Sequence, residues 1–240
     1  MCRFMTRLAA LIFLLGSVVH AAERSDGNVA RVVVWQPKPG LEREFEEGYK
    51  RHLQWHRANR DPWAWYGWAV RSGTQDGYFV DGTFFRQWTE LDSPVAPAAD
   101  AADNRINVFP YADVRSSAIY ESIPALSNFD RELLSAPLMT FYRFDLLPGA
   151  AAEFESAAGA ALRSHRGTAV QYAMLRPVNG VTSYLLLVPG KQPSDFASQS
   201  EFVQRLLGGM RRAAKGKSAI VRFSTETAAF RPDLSYMPDF

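Results

Sequence analysis

Polar and apolar positions along the chain fall into short alternating runs and longer one-sided ones. Residues 30–35 (Ala-Arg-Val-Val-Val-Trp) are mostly β-branched, and Pro37 with Pro39-Gly40 closes them, which predicts a strand and then a turn. From Leu41 the period changes. At about 100° per residue, Leu41, Phe45, Gly48, Tyr49, His52, Trp55 and His56 share one face, and Arg43, Glu46, Glu47, Lys50, Arg51, Gln54 and Arg57 the other. This predicts an amphipathic helix over 41–60, with acids in its first turn and bases in its last. Strands are expected over 63–71 and 78–88, joined by a glycine-bearing hairpin turn at 72–77, and over 114–123. Between them Pro94, Pro97 and Pro110 leave space for a short helix near 98–104.

The pattern then repeats. A strand over 138–146 leads to a helix over 150–165 with Phe154, Ala158, Ala161, Leu162 and His165 on one face. A hairpin of 169–176 and 183–188 turns around Val178-Asn179-Gly180, and a helix over 200–214 and a strand over 218–227 follow. The order β-α-β-β-α-β therefore occurs twice. Pro39-Gly40-Leu41-Glu42-Arg43-Glu44-Phe45-Glu46 returns 109 positions later as Pro148-Gly149-Ala150-Ala151-Ala152-Glu153-Phe154-Glu155, and His56-Arg57 returns as His165-Arg166. The chain divides into an N-terminal segment (1–22), a first copy (23–127) and a second copy (128–240), with a linker over 125–132.

Two tandem ferredoxin-like units make an α+β protein. On the repeated Pro-Gly-x-x-x-Glu-Phe-Glu and the strands around it, the chain resembles the dimeric α/β-barrel superfamily, in particular antibiotic-biosynthesis-monooxygenase-like proteins. The resemblance implies two sheets facing each other as a barrel with helices outside. It also implies a ligand between the sheet and the helices of one half, so that the sheet-facing side of helix 41–60 is the place to look. The activities it brings are cofactor-independent oxygenation, cyclisation and isomerisation, with haem chemistry like that of chlorite dismutase as an alternative. Around no histidine does the sequence extend into a match with the haem branch.

Composition narrows the classes. Residues 1–22 carry Arg3 and Arg7, an apolar run from Leu8 to Val19 and small residues at Ala21-Ala22, which reads as a secretory signal peptide. Its removal would take away Cys2, the only cysteine, and lower Lys+Arg from 27 to 25 against 25 Asp+Glu. A periplasmic or secreted, near-neutral protein without disulfides is expected, with no nucleic-acid partner and no membrane association after cleavage. Further copies of the chain are an option as partners.

The candidate chemistry is one-sided. His52 and His56, four apart on the apolar helix face, are the catalytic candidates, with His52 as general base. His56 also has a scaffold reading, because His165 repeats it, whereas Ala161 stands where His52 would recur. All six tryptophans lie in the first copy. Tyr66, Trp68, Trp65, Arg71 and Trp88 are the ligand-binding candidates, the rings for a small apolar or aromatic molecule and Arg71 for an anionic group. Trp63, Trp65 and Arg71 should share one face of their strand, and Tyr66, Trp68 and Val70 the other. A metal clamp at His52 and His56 would need a third ligand such as Asp81, and it lacks the glutamate of the zinc-protease motif. No metal or cofactor is assigned on this pattern. The reading is an exported small-molecule-binding protein, with cofactor-independent oxygenation or isomerisation as the chemistry it could carry and a non-enzymatic binding or interaction module as the alternative from another class.

Overall fold

The computed structural model describes residues 27–163, 170–216 and 218–238. The segment 1–22, expected to be a signal peptide, and His165-Arg166 lie outside the described residues. Strands β1 (Val29–Pro37), β2 (Tyr66–Ser72), β3 (Phe79–Arg86) and β4 (Ala112–Ser122) come from the first copy. Strands β5 (Leu138–Leu146), β6 (Ala173–Asn179), β7 (Tyr184–Gly190) and β8 (Ile220–Phe230) come from the second. They close into one antiparallel barrel in the order β1-β3-β2-β8-β5-β7-β6-β4. Each copy supplies the strand run of a ferredoxin-like half, and the halves join where Trp68 pairs with Phe230 and Tyr120 with Pro177.

Alternation along the strands sorts the side chains into three layers. Val32, Val34, Trp68, Val80, Phe84, Met139, Phe141, Leu185 and Leu187 point into the barrel. Val33, Trp35 and Phe79 point outward, under Phe45, Tyr49 and Leu53 of helix α1 (Glu42–Ala58). In the second copy Tyr142, Phe144 and Leu186 point outward. They meet Phe154 of α4 (Ala151–Leu162) and Phe202 and Leu206 of α5 (Asp195–Ala213). The repeated Pro-Gly turns carry Gly40 and Gly149 at φ of 80° and 77°, with nothing near enough to touch a Cβ. Glycine stands there for the sign of φ rather than for space.

The structure moves several expected boundaries. The strand expected from residue 63 begins at Tyr66, because the Asp61 carboxylate accepts the Trp63 N–H and turns the chain first. The strand expected to reach Trp88 stops at Arg86. Phe85 sits at a φ of 59°, and Gln87 and Glu90 form a capping box that starts a short helix, α2 (Trp88–Leu91). The short helix expected at 98–104 is α3 (Pro97–Asn107), opened by proline at its first turn. Helix α5 starts five residues before the expected 200, where the Asp195 carboxylate accepts the N–H groups of Lys191 and Gln192.

The linker does more than connect. A 3-10 turn, Pro124–Leu126, leaves β4 and lays Leu126 into the outer layer of the second copy. A matching turn, Pro232–Leu234, leaves β8 and lays Leu234 into the outer layer of the first. In each arm the following serine accepts a strand N–H, Met174 to Ser127 and Gly67 to Ser235. Asn128 bridges to Tyr172 and Tyr236 to Trp65. Each copy therefore completes the other's helix layer. Leu126→Ala and Leu234→Ala should each cost about 2–4 kcal/mol in urea unfolding. A loss below about 1 kcal/mol for either would show that its arm is dispensable.

Candidate functional site

Helix α1 reaches the sheet with Phe45, Gly48, Tyr49, His52, Leu53 and His56 buried. All but Leu53 match the expected face. Leu53 joins it, while Trp55 stays half-buried. Opposite lies Asp81 on β3, directly across from Val33 of β1. Asp81 Oδ2 accepts hydrogen bonds from Trp35 Nε1 (2.7 Å) and Tyr49 Oη (2.8 Å), whereas Asp81 Oδ1 is buried without a partner. Leu186 takes the same register position in the second copy, and Ala158 and Ala161 take those of Tyr49 and His52.

Helix α3 closes the site from above. It can do so because α1 presents Gly48, where a Cβ would lie 1.9 Å from the Asn107 carbonyl oxygen. That close approach brings Asp100, Asp103 and Asn104 over His52. His52 Nδ1 lies 2.9 Å from Asp103 Oδ1, and Asn104 Nδ2 lies 3.0 Å from His52 Nε2. A carboxylate only accepts, so Nδ1 carries the proton and Nε2 presents a lone pair. His56 is held the same way, with Nδ1 2.7 Å from Asp61 Oδ2. The two Nε2 atoms face each other at 3.2 Å, and Asp100 Oδ1 stands 3.4 Å from that of His52.

The C-terminal arm packs behind His56 and Asp61. Tyr236 stacks near His56 at 6.0 Å between ring centres and donates its hydroxyl to the Asp61 carbonyl oxygen at 2.9 Å. Arg231 anchors the arm with a two-pronged bond to Glu46 (2.6 and 2.8 Å). Nothing in the expected site included Tyr236. The signal was present, since Pro232-Asp233-Leu234-Ser235 echoes Pro124-Ala125-Leu126-Ser127 and marks a second docking arm.

His52, His56, Asp81, Asp100 and Asn104 line a pocket of about 50 Å³ together with Arg31, Val33, Trp35, Tyr49 and Trp65. That volume holds a few waters, a small ion with its water, or the reacting end of a larger molecule. Burial pushes the Asp81 carboxyl up to about 6, against the hydrogen bonds from Tyr49 and Trp35 and the charges of Arg31 and His56. Burial also opposes charge on Asp61, but the hydrogen bonds from His56, Trp65 and the Trp63 backbone outweigh it and hold the carboxyl below its usual range. His52 is pushed down by burial and by the neighbouring charge of His56, against the pull of Asp103 and Asp100.

The expected ligand residues do not gather around this pocket. Trp65 does, donating its indole N–H to Asp61 at 2.9 Å. Tyr66 and Trp68 point into the barrel, where Trp68 is fully buried against Phe84 and Phe141 and the gaps measure about 10 and 20 Å³. Arg71 is exposed at the end of β2. Trp88 lies on the surface at α2, its indole N–H donated to Glu121 of β4. Tyr66, Trp68 and Val70 share the barrel face as expected, whereas Trp63 and Trp65 precede the strand, and the tryptophans are spread over three layers of the fold. His56 bonds to the side chain of Asp61 at 2.7 Å. Asp81 is not the third corner of a histidine clamp: among the described residues, the cluster whose ligand atoms lie within 4.8 Å of one another is His52, His56 and Asp100.

A haem does not fit the pocket. About 50 Å³ is far below the volume of a drug-sized ligand site, and both imidazoles are engaged with aspartates and with each other. A larger groove of about 270 Å³ lies between α5 and the outer faces of β5 and β8, lined by Tyr142, Phe196, Gln199 and Phe223 among others, with no histidine.

No family model matches the sequence, and no curated protein matches it. Solved structures do. A protein named as a monooxygenase from Lactobacillus acidophilus superposes with a TM-score of 0.56 at 10% identity, over 88% of this chain and 97% of its own. An anthrone oxidase-like protein gives 0.55 at 10% identity, over 87% and 93%. A chlorite dismutase from Candidatus Nitrospira defluvii gives 0.54 at 9% identity, over 87% and 92%. The barrel order and these superpositions agree: the chain has the dimeric α/β-barrel fold, with both ferredoxin-like halves in tandem on one polypeptide.

Proposed function

We propose that the first half is an enzyme site that moves a proton on a small enolisable or phenolic compound. The observation carrying this reading is the unpartnered oxygen of buried Asp81, a residue that lines the same pocket as His52 and His56. Abstracting a proton next to a carbonyl needs a base and something to hold the oxygen on which charge collects. Asp81 Oδ1 supplies the base. His52 cannot do so readily, because Asn104, Asp100 and His56 already crowd its Nε2. The histidine pair suits the second role: one proton shared between the two Nε2 atoms makes it a cationic donor, anchored by Asp61 and Asp103. The C–H electron pair becomes the new double bond, the carbonyl oxygen becomes the oxyanion at the imidazoles, and the proton returns from Asp81 to another carbon.

The aromatic walls of Trp35, Tyr49 and Trp65 favour a ligand with a flat apolar body entering by its reactive end. The solved neighbours named as a monooxygenase and as anthrone oxidase-like support the same first step, with dioxygen as the oxidant of the resulting carbanion. Export to the periplasm or the medium belongs to the same proposal, resting on the N-terminal sequence, and fractionation of cells expressing the full chain tests it.

The test of the chemistry is deuterium exchange. Cyclic enones, 1,3-diketones and polyhydric phenols incubated with the protein in deuterated water should include a member that exchanges or isomerises. Asp81→Asn should lower that rate at least about 100-fold. The rate should fall as pH drops through about 6, where Asp81 gains its proton. Exchange that survives Asp81→Asn, or a panel with no reacting member, overturns the reading.

The same substitution should act on stability in the opposite direction. A carboxyl whose folded pKa of about 6 exceeds its ordinary 3.8 binds protons more tightly when folded. Its contribution is fully present below 3.8 and is lost as pH rises through 6. Asparagine can keep both accepted hydrogen bonds without the charge. Asp81→Asn should therefore gain roughly 1–3 kcal/mol at pH 8, with the gain shrinking toward pH 4.5, as read by urea unfolding at the two pH values.

A further inference from the structure

We infer that His52 Nε2, His56 Nε2 and Asp100 Oδ1 form a binding site for a first-row divalent metal ion of the zinc class. The inference rests on the proposed function in one respect: the ion takes the place of the proton shared by the imidazoles and does the same electrophilic work.

Geometry carries it. Both histidines turn their Nδ1–H groups outward to carboxylates, at 2.9 Å to Asp103 and 2.7 Å to Asp61. Their lone pairs then converge on one point, with the Nε2 atoms 3.2 Å apart. Two bare lone pairs at that distance repel, so a cation belongs between them. Metal–nitrogen and metal–oxygen bonds of about 2.0–2.1 Å at tetrahedral angles separate neighbouring ligands by about 3.3–3.4 Å. The observed 3.2 Å between the imidazoles and 3.4 Å from His52 to Asp100 match two such edges. The third, from His56 to Asp100, is longer within the 4.8 Å span of the three atoms, and a turn of the Asp100 side chain would close it on the ion.

The surroundings have the form that a metal-binding imidazole takes, with a carboxylate behind each ring fixing its tautomer and raising its basicity. Asn104 Nδ2, 3.1 Å from Asp100 Oδ1, steadies the third ligand. Its 3.0 Å contact with His52 Nε2 is the one bond that the ion would displace. Asp61, Asp81, Asp100 and Asp103 surround two imidazoles, and Arg31 is the one cation among the pocket's lining residues, so the site favours positive charge. Three protein ligands leave a fourth position open for water or substrate. With no cysteine and two nitrogen donors, zinc, cobalt and nickel fit better than calcium or magnesium.

Chelator-stripped protein is titrated with zinc by calorimetry and with cobalt by visible absorption, in the absence of any organic ligand. One equivalent should bind with a Kd of about 1 μM or tighter, and cobalt should give the intense visible bands of a low-symmetry four-coordinate site. His52→Ala and His56→Ala should each weaken binding by about 100-fold and Asp100→Asn by about 10-fold, whereas Asp81→Asn should change it less than about 3-fold. His52→Ala recreates the residue that the second half carries at this position, and circular dichroism of the stripped variants checks folding. No binding of either ion by the unsubstituted protein, or affinity that survives both histidine substitutions, overturns the inference. Exchange activity that persists without metal binding would overturn this assignment alone. Metal binding without any exchange would overturn the proton-transfer reading and leave the site standing.

Discussion

Barrel closure is the constraint on which everything else depends. A four-stranded ferredoxin-like sheet has two open edges and two faces to cover. Pairing β2 with β8 and β4 with β6 removes all four edges at once and encloses one face of each sheet. Once the interior is filled by Trp68, Phe84, Phe141 and their neighbours, the outer faces must be covered by helices. That fixes where α1, α3, α4 and α5 lie, and with them the two spaces in which a ligand could sit.

The two copies treat those spaces differently. Beneath α4 and α5 the second copy packs Phe144, Phe154, Leu186, Phe202 and Leu206, an ordinary apolar layer. The first copy shows that the same frame tolerates a different filling: Asp81 in place of Leu186, His52 in place of Ala161 and Tyr49 in place of Ala158. Buried charge of this kind is costly unless satisfied, and replacement by apolar residues is often neutral or stabilising. Its presence in one half, beside a satisfied apolar counterpart in the other, is an internal control that a single-copy fold would not provide.

Much of this was legible in the sequence. The Pro-Gly turns, the amphipathic face of α1 and the β-α-β-β-α-β order gave the tandem barrel, and the contrast of His52 with Ala161 pointed at the helix that carries the buried histidine pair. What escaped was long-range. Asp100 and Asp103 sit on a helix that the prolines made look too short, and Gly48 is what lets it approach. Asp81 in a strand of Phe, Val, Gly and Thr carries no local mark of its role. The tryptophans misled because alternation and a change of element scatter neighbouring rings over the barrel interior, the helix layer and the surface. The short Pro-x-Leu-Ser echo, four residues long, was hidden beside the longer repeat.

The reciprocal arms bear on how such a chain holds together after it is cut. Residues 123–128 lie on the second copy and 231–236 on the first, each fastened by a leucine, a serine and a backbone bridge. The peptide between the copies is therefore not the only tie between them. Severed within the link between β4 and β5, the halves would remain buttoned to each other from both sides, as two subunits that have traded their tails. In that light the single polypeptide has the arrangement of a dimer whose two halves clasp each other as well as being joined end to end.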